Sequence, residues 1–251
     1  MALTSTHIIC AAKNRQLFKI KFHPEKVDEM GKISFLAQPC QQGQITAIAC
    51  SLKMLYVFTA STDKSVAKWE YSAENKLKMC FRQNMNDEIL AMDIHPSGFY
   101  LILSYNSYIR YYNIMGDQLK QYHEDKEVKG CKELKFSNGG HFFACSDSTE
   151  VLVFQFFTAK LVYKFDGHIS TVKSLSWLDD DTGLASSAVD HKINFWKLST
   201  EEKDNRNHIM LEKSNANFLS MVLFKVEAEK GYKTVMFASG NNGNIYVLDG
   251  K

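Results

Sequence analysis

Ser187-Ala188-Val189-Asp190-His191-Lys192-Ile193-Asn194-Phe195-Trp196-Lys197 is the most informative stretch of this chain. It reads as the end of a small-residue strand, a polar turn over Val189-Asp190-His191-Lys192, and a return strand closing on a bulky aromatic. Working outward, residues 183–187 form the strand entering the turn, and residues 172–177 form another before it, with Asp179-Asp180-Asp181 between them. Gly167-His168 precedes the group. Three strands in about 25 residues leave no room for a crossover helix, so the pairing is antiparallel.

The same three-strand unit recurs. One copy has residues 45–50, 56–60 and 65–69, with Ser61-Thr62-Asp63-Lys64 as its second turn. Others span 89–112, 131–156 and 219–248. The bulky residue near the end of each third strand is Trp69, Tyr112, Phe154, Trp196 and Leu248, at spacings of 43, 42, 42 and 52 residues. A period of roughly 40–45 residues is that of four-stranded propeller blades. Residues 77–81, 118–122 and 161–165 supply fourth strands. The long last interval contains a polar insertion, residues 199–217, expected as a surface loop. At the start, residues 7–12, 16–20 and 32–37 align with the second to fourth strands of a blade. The expected fold is therefore all-β, a propeller with about five blades visible over residues 1–251, starting and ending within a blade. It stands either as a single domain or as part of a larger propeller.

Composition narrows the function classes. The chain has 251 residues, 45% of them hydrophobic, enough for several stacked cores. Thirty basic residues against 28 acidic ones create no global positive field of the kind that drives nucleic-acid binding. The 6 cysteines form no CxxC pair and sit mostly in apolar runs, so buried reduced thiols are expected. The longest apolar run, residues 218–224, is too short to span a bilayer.

The stretch from Ser187 to Lys197, together with Gly167-His168, resembles the WD40 repeat family. Lys197 and Glu70 stand where that family's signature ends in Asp. The resemblance implies a buried network: Asp190 bonds His168 and the amides of its turn, His168 reaches Ser187, and Ser187 takes the Trp196 indole N–H. A catalytic reading of Ser-His-Asp fails because a hydrolase needs its Ser exposed beside an oxyanion hole. Buried polar groups satisfied in a network explain the same residues.

Other motifs carry less. His95-Pro96-Ser97-Gly98 is a hairpin turn with a solvated His. His123-Glu124 lacks the Cys pair of a zinc site. Gly240-Asn241-Asn242-Gly243-Asn244 lacks the Lys and helix of a phosphate loop. Asp179-Asp180-Asp181 reads as a solvated, repulsive turn, because three adjacent carboxylates cannot converge on one cation.

Residues 95–117 and 129–144, the latter with Phe136-Ser137-Asn138-Gly139-Gly140-His141-Phe142-Phe143-Ala144, are similar to WD-repeat scaffolds of the axoneme of cilia and flagella. That resemblance implies a non-catalytic interaction scaffold docking near inner dynein arms or the dynein regulatory region on doublet microtubules. The implied partners are axonemal microtubule-associated and dynein-associated proteins, with no cofactor, metal, nucleic acid, membrane insertion or small-molecule substrate. A cytosolic adaptor such as a ubiquitin-ligase substrate receptor is the alternative, and a propeller enzyme the third reading. Tyr105, Tyr108 and Arg110 are candidate partner-binding residues, because Tyr and Arg are favoured interface anchors, although packing within the blade competes for the tyrosines. Lys64, His191 and Lys192 are lesser candidates at hairpin tips.

Overall fold

The structure, a computed structural model, describes residues 2–3, 7–11, 17–21, 34–37, 41–51, 53–71, 77–198, 206–210, 217–228 and 231–250. The strands within 2–37 and 206–210 are described as backbone alone. Short β-favouring runs separated by turns form six antiparallel sheets, and the described residues contain no helix. Each sheet is built from strands consecutive in sequence and paired antiparallel with their neighbours.

The chain divides into two compact units, Met1–Gly130 and Cys131–Lys251. The first unit holds three sheets. Sheet one has β1 (Ala2–Leu3), β2 (His7–Ala11), β3 (Leu17–Lys21) and β4 (Ser34–Ala37). Sheet two has β5 (Ile45–Cys50), β6 (Tyr56–Ser61), β7 (Ser65–Tyr71) and β8 (Leu77–Asn84). Sheet three has β9 (Ala91–Ile94), β10 (Tyr100–Ser104), β11 (Ile109–Met115) and β12 (Gln118–Asp125). The first strands β1, β5 and β9 lie side by side. One apolar core joins sheets two and three, with Tyr56, Phe58, Val66 and Phe81 against Ile89, Met92, Leu101 and Leu103.

The second unit repeats this plan. Sheet four has β13 (Leu134–Phe136), β14 (Phe142–Asp147), β15 (Glu150–Gln155) and β16 (Lys160–Phe165). Sheet five has β17 (Val172–Trp177), β18 (Gly183–Ala188), β19 (Lys192–Lys197) and β20 (Arg206–Met210). Sheet six has three strands, β21 (Phe218–Ala228), β22 (Gly231–Gly240) and β23 (Ile245–Gly250). Here β13, β17 and β21 lie side by side. Val151, Val153 and Phe165 of sheet four pack on Leu175, Leu184 and Trp196 of sheet five. Ala185 and Ile193, on the opposite face of sheet five, pack on Met221, Leu223, Met236 and Ala238 of sheet six.

This is the all-β, blade-repeat class of the WD40 β-propeller that the sequence pattern predicts. Three of the five repeat-marking residues, Trp69, Tyr112 and Phe154, have a backbone counterpart. The pairing of third with fourth strands shifts register between Lys68 and Trp69, Tyr111 and Tyr112, and Val153 and Phe154. A bulge there re-aims the large side chain into the core.

Two boundaries differ from the expectation. The first sheet has a first strand, the two-residue β1, too short to carry a periodic signal. The polar segment 199–217 contains β20, which pairs with β19 from Lys192↔Met210 to Trp196↔Arg206 and completes sheet five. An outer strand has one solvent face, so a polar composition does not distinguish it from a loop. The remainder of that segment, 199–205 and 211–216, lies outside the described residues.

Candidate functional site

Sheet five carries the network, with one residue corrected. Trp196 Nε1 donates to Ser186 Oγ at 2.7 Å, and His168 Nε2 meets the same oxygen at 2.7 Å. His168 Nδ1 faces the Asp190 carboxylate at 3.1 and 3.3 Å. Asp190 also accepts the backbone N–H of Ile169 at 3.0 Å and of Lys192 at 3.1 Å. A carboxylate facing Nδ1 places the ring proton there. Nε2 then accepts the Ser186 hydroxyl proton, and that hydroxyl oxygen accepts from Trp196. The relay runs one way, from indole to carboxylate, and every donor in it has an acceptor.

Ser187, expected in this role, is not part of it. Its hydroxyl is buried with no hydrogen-bond partner among the described residues. Strand parity is the reason. Leu184 pairs with Trp196 across the sheet, and side chains two apart share a face. Ser186 therefore stands on the Trp196 face, and Ser187 on the other.

Sheet two holds a second network, in which a Gln stands where sheet five has its His. Trp69 Nε1 donates to Thr59 Oγ1 at 3.0 Å, and Thr59 donates to Gln41 Oε1 at 2.8 Å. The Gln41 amide nitrogen donates to Ser65 Oγ at 3.1 Å and Ser65 O at 3.0 Å. Ser65 Oγ passes the chain to Asp63. Asp63 also accepts the amides of Gln42 and Gly43, and Arg82 Nη2 at 3.1 Å. Partial burial pushes the Asp63 carboxyl up, but these hydrogen bonds outweigh it and hold its pKa below the usual carboxylate value. A Gln substitutes for His because its amide also offers one acceptor and one donor face. The signal was the spacing: Thr59, Asp63 and Trp69 stand four and ten residues apart from the first member, as Ser186, Asp190 and Trp196 do. Thr59 has apolar neighbours, so that copy identifies the correct serine in the other.

Both Asp residues anchor three-residue hairpin turns. Lys64 and His191 occupy the left-handed position of those turns, each with φ of 62°. Lys64 is exposed, with its amine on the Asn86 carbonyl at 3.0 Å. His191 is exposed and Lys192 half-buried.

The aromatic cluster sits at the β10–β11 hairpin. Tyr105 is 0% exposed, its hydroxyl 3.1 Å from that of Tyr112, so it is a core residue and not a surface anchor. Ile102, Ser104, Tyr105 and Ile109 are buried on both sides of the two-residue turn, which draws Tyr105 inward. Tyr108 is half-buried, its ring 4.7 Å from that of Tyr105. Its hydroxyl donates to the Asp87 carboxylate. Burial and that carboxylate together push its pKa up to about 12. The Arg110 guanidinium lies 4.4 Å from the Tyr108 ring centroid and donates from Nε to Glu124 at 2.7 Å. Arg110 in turn holds the Glu124 carboxyl below its ordinary value. The partly exposed members, Tyr108, Arg110, Asp87 and Glu124, form a pre-ordered patch of mixed charge on an aromatic base.

The remaining motifs have structural roles. His95 is buried at 7% exposure, not solvated: its Nδ1 accepts the Ser97 N–H at 3.1 Å and its ring packs edge-on against Tyr100. Asp181, in the acidic turn, is half-buried. It accepts the amides of Asn138 at 2.8 Å and Gly139 at 2.6 Å, while Asn138 Nδ2 bonds Leu178 O at 2.8 Å. The Ser137–Gly140 turn is thus clasped to the next sheet's hairpin, and repulsion within the acidic run is relieved. Cys131 and Cys145 are buried, but Cys80 is exposed on the outer strand β8, contrary to a fully buried thiol set. Among the described residues no cluster of His, Cys, Asp or Glu is arranged to hold a metal ion.

Residues 159–197 match the family model for the WD domain, G-beta repeat. The chain is 32% identical over 198 residues to cilia- and flagella-associated protein 57 A of Tetrahymena thermophila, covering 76% of this chain and 15% of that protein. It is 32% identical over 216 residues to protein 57 C of the same organism, covering 77% and 16%. It is 28% identical over 199 residues to cilia- and flagella-associated protein 57 of Mus musculus, covering 78% and 16%. The chain thus spans about one sixth of the length of these curated relatives. With blade-type sheets, a Trp-Ser-His-Asp relay in the matched repeat and these relatives, the chain belongs to the WD40-repeat family.

Proposed function

We propose that this chain is a non-catalytic protein-interaction scaffold of the ciliary axoneme, docking near inner dynein arms or the dynein regulatory region on doublet microtubules. The observation that carries this reading is its similarity, over about three quarters of its length, to three proteins named for cilia and flagella. The geometry supports a holding role. His168, Asp190 and Ser186 are joined to Trp196 and to backbone amides, which leaves that serine with its hydrogen committed and no access for a substrate. What the surface offers instead is Tyr108 and Arg110, held in place before any partner arrives. Pre-ordering lowers the entropy lost on binding.

Two measurements test this. The tagged chain, expressed in ciliated cells, is expected in axonemes after detergent extraction; cytoplasmic label excluded from cilia overturns the ciliary placement. Tyr108→Ala and Arg110→Ala are expected to reduce co-purification of axonemal proteins at least tenfold while the melting curve stays cooperative. Unchanged co-purification with both variants removes this patch from the docking surface.

A further inference from the structure

We propose that the strand ends of sheets two and three that carry Met54, Leu55, Phe99 and Met115 dock a short apolar segment of a protein partner, with one carboxylate of that segment on Lys68. This patch stands at the opposite end of sheet three from Tyr108 and Arg110. Strands β10 and β11 pair from Tyr100↔Asn113, beside Phe99 and Met115, to Ser104↔Ile109, beside Tyr108. The site is therefore separate from the docking patch described above, and a scaffold with both holds two partners at once.

Turns on a protein surface favour Gly, Pro, Asn, Asp and Ser. Here Leu55 is 76% exposed, Phe99 55%, Met115 44% and Met54 37%. All four lie within the first compact unit. Sheets stack face on face, whereas these residues stand at strand ends, in the β5–β6 and β9–β10 connections and at the last position of β11. The three connections are tied together. Met54 donates its backbone N–H to Ser51 Oγ at 3.0 Å, and its carbonyl accepts from Tyr56 N at 2.7 Å. The Met54 side chain lies over Gly98, where an added Cβ would stand 2.9 Å from its Cγ. The Tyr56 hydroxyl donates to the Gly98 carbonyl, and the Phe99 carbonyl accepts from Ile114 N at 2.8 Å. Lys68 reaches from sheet two to the Gly116 carbonyl of sheet three at 3.3 Å. The apolar side chains thus project from a fixed frame, which lowers the ordering cost of binding.

Size and charge define the occupant. These side chains expose on the order of 400 Å² of apolar surface, at the level where patches on soluble proteins mark interaction sites. That is about half of what one partner contributes to a standard interface, so it suits a short segment and not a second folded surface. Lys68 sets the charge of the segment. Its side chain is only 9% exposed, and an ammonium group has three hydrogens to donate. The Gly116 carbonyl accepts one of them, while the Tyr56 ring centroid lies 4.7 Å away and the Glu70 carboxylate 4.0 Å. Neither of the latter two is within hydrogen-bond distance, and the Glu70 side chain is 60% exposed, so water screens it. A desolvated ammonium with one long bond is costly, and an incoming carboxylate relieves that cost with a charge-assisted hydrogen bond. On the rim, Lys53 and Asp117 are exposed and of opposite sign, so the buried charge decides the preference.

Panning the purified chain against a displayed library of random octapeptides tests the site. Enrichment is expected for sequences with large apolar residues around one Asp or Glu. In fluorescence anisotropy with a dye-labelled enriched peptide, Leu55→Ser with Phe99→Ser should weaken binding at least about tenfold while the melt stays unchanged. Changing the carboxylate of the peptide to its amide should weaken binding at least about tenfold on the parent chain and less than about twofold on Lys68→Met. The peptide change leaves the fold untouched, so it tests the charge assignment even if Lys68→Met melts early. No enrichment, or peptides that bind the Leu55 and Phe99 variant as well as the parent, overturn the site. Equal binding of acid and amide by the parent overturns the role of Lys68. A dimer in sedimentation velocity that the Leu55 and Phe99 variant abolishes overturns the peptide in favour of a second copy. The ciliary placement is tested by localisation, so the two readings fail separately.

Discussion

Replacing Ser186 and, separately, Ser187 by Ala separates the role of the network from that of mere burial. The two serines are adjacent, both 0% exposed, and each substitution deletes one oxygen from a packed interior. Only the bonding differs. Ser186→Ala strips the acceptor from Trp196 Nε1 and the donor from His168 Nε2, both at 2.7 Å and both buried. Leaving a buried polar group unsatisfied costs about 1–3 kcal/mol. Two such groups put the loss at about 2–6 kcal/mol. Ser187→Ala removes a hydroxyl that is already desolvated and has no described partner, so its effect should lie within about 0.5 kcal/mol of zero or be stabilising. Urea titration followed by the fluorescence of the 3 tryptophans compares the midpoints, provided the slopes agree. A double-mutant cycle with Trp196→Phe should show the Ser186 effect shrinking by at least about 0.5 kcal/mol, since one of its two partners is gone. If Ser187→Ala proves as damaging as Ser186→Ala, or if Ser186→Ala is silent, the strand-parity reasoning and the relay both fail.

The Asp63 carboxyl titrates below its ordinary value in the folded chain, so it contributes stability at pH above about 4 that is lost as the pH falls through the folded value. Asp63→Asn should therefore flatten the acid limb of the stability profile below about pH 4 while lowering stability at pH 7, and an unchanged acid limb would refute the assignment. Gly98→Ala should destabilise by about 1–3 kcal/mol. Gly98 has φ of 83°, and an added Cβ would lie 2.9 Å from Met54 Cγ and 3.1 Å from the Tyr56 hydroxyl, which donates to the Gly98 carbonyl. A thermal melt within 1 °C of the parent would show that the turn relaxes freely.

Much of the sheet architecture was legible because blades are local objects. Alternating burial, hairpin turns and a bulky residue every 42 or 43 residues all lie within short windows of sequence. Two elements escaped for a related reason. A two-residue strand such as β1 has no period to detect. The outer strand β20 has polar residues that suit solvent and loop equally. The Gln41 network is not marked by the family signature, which has His at that place, whereas the chemistry requires only one acceptor and one donor on a short planar group. Its Thr59–Asp63–Trp69 spacing was there to be read. Tyr105 and His95 were misplaced outward, because turn sequences identify where the chain reverses and not how deeply a neighbouring sheet covers it.

By itself, then, the sequence determined the class of the protein: antiparallel blades in series, with a stretch around Trp196 that resembles a WD40 repeat. The blades rest on spacing and the repeat on its likeness to a family signature, both properties of the chain written in a line. Tertiary structure alone decided which of two adjacent serines bonds His168 and that Asp181 clasps a turn 42 residues away. The physical reason is that each of these depends on the second surface of a contact. A strand's residues state which face they share, but only the packed neighbour determines whether that face is filled, bonded or left open to a partner.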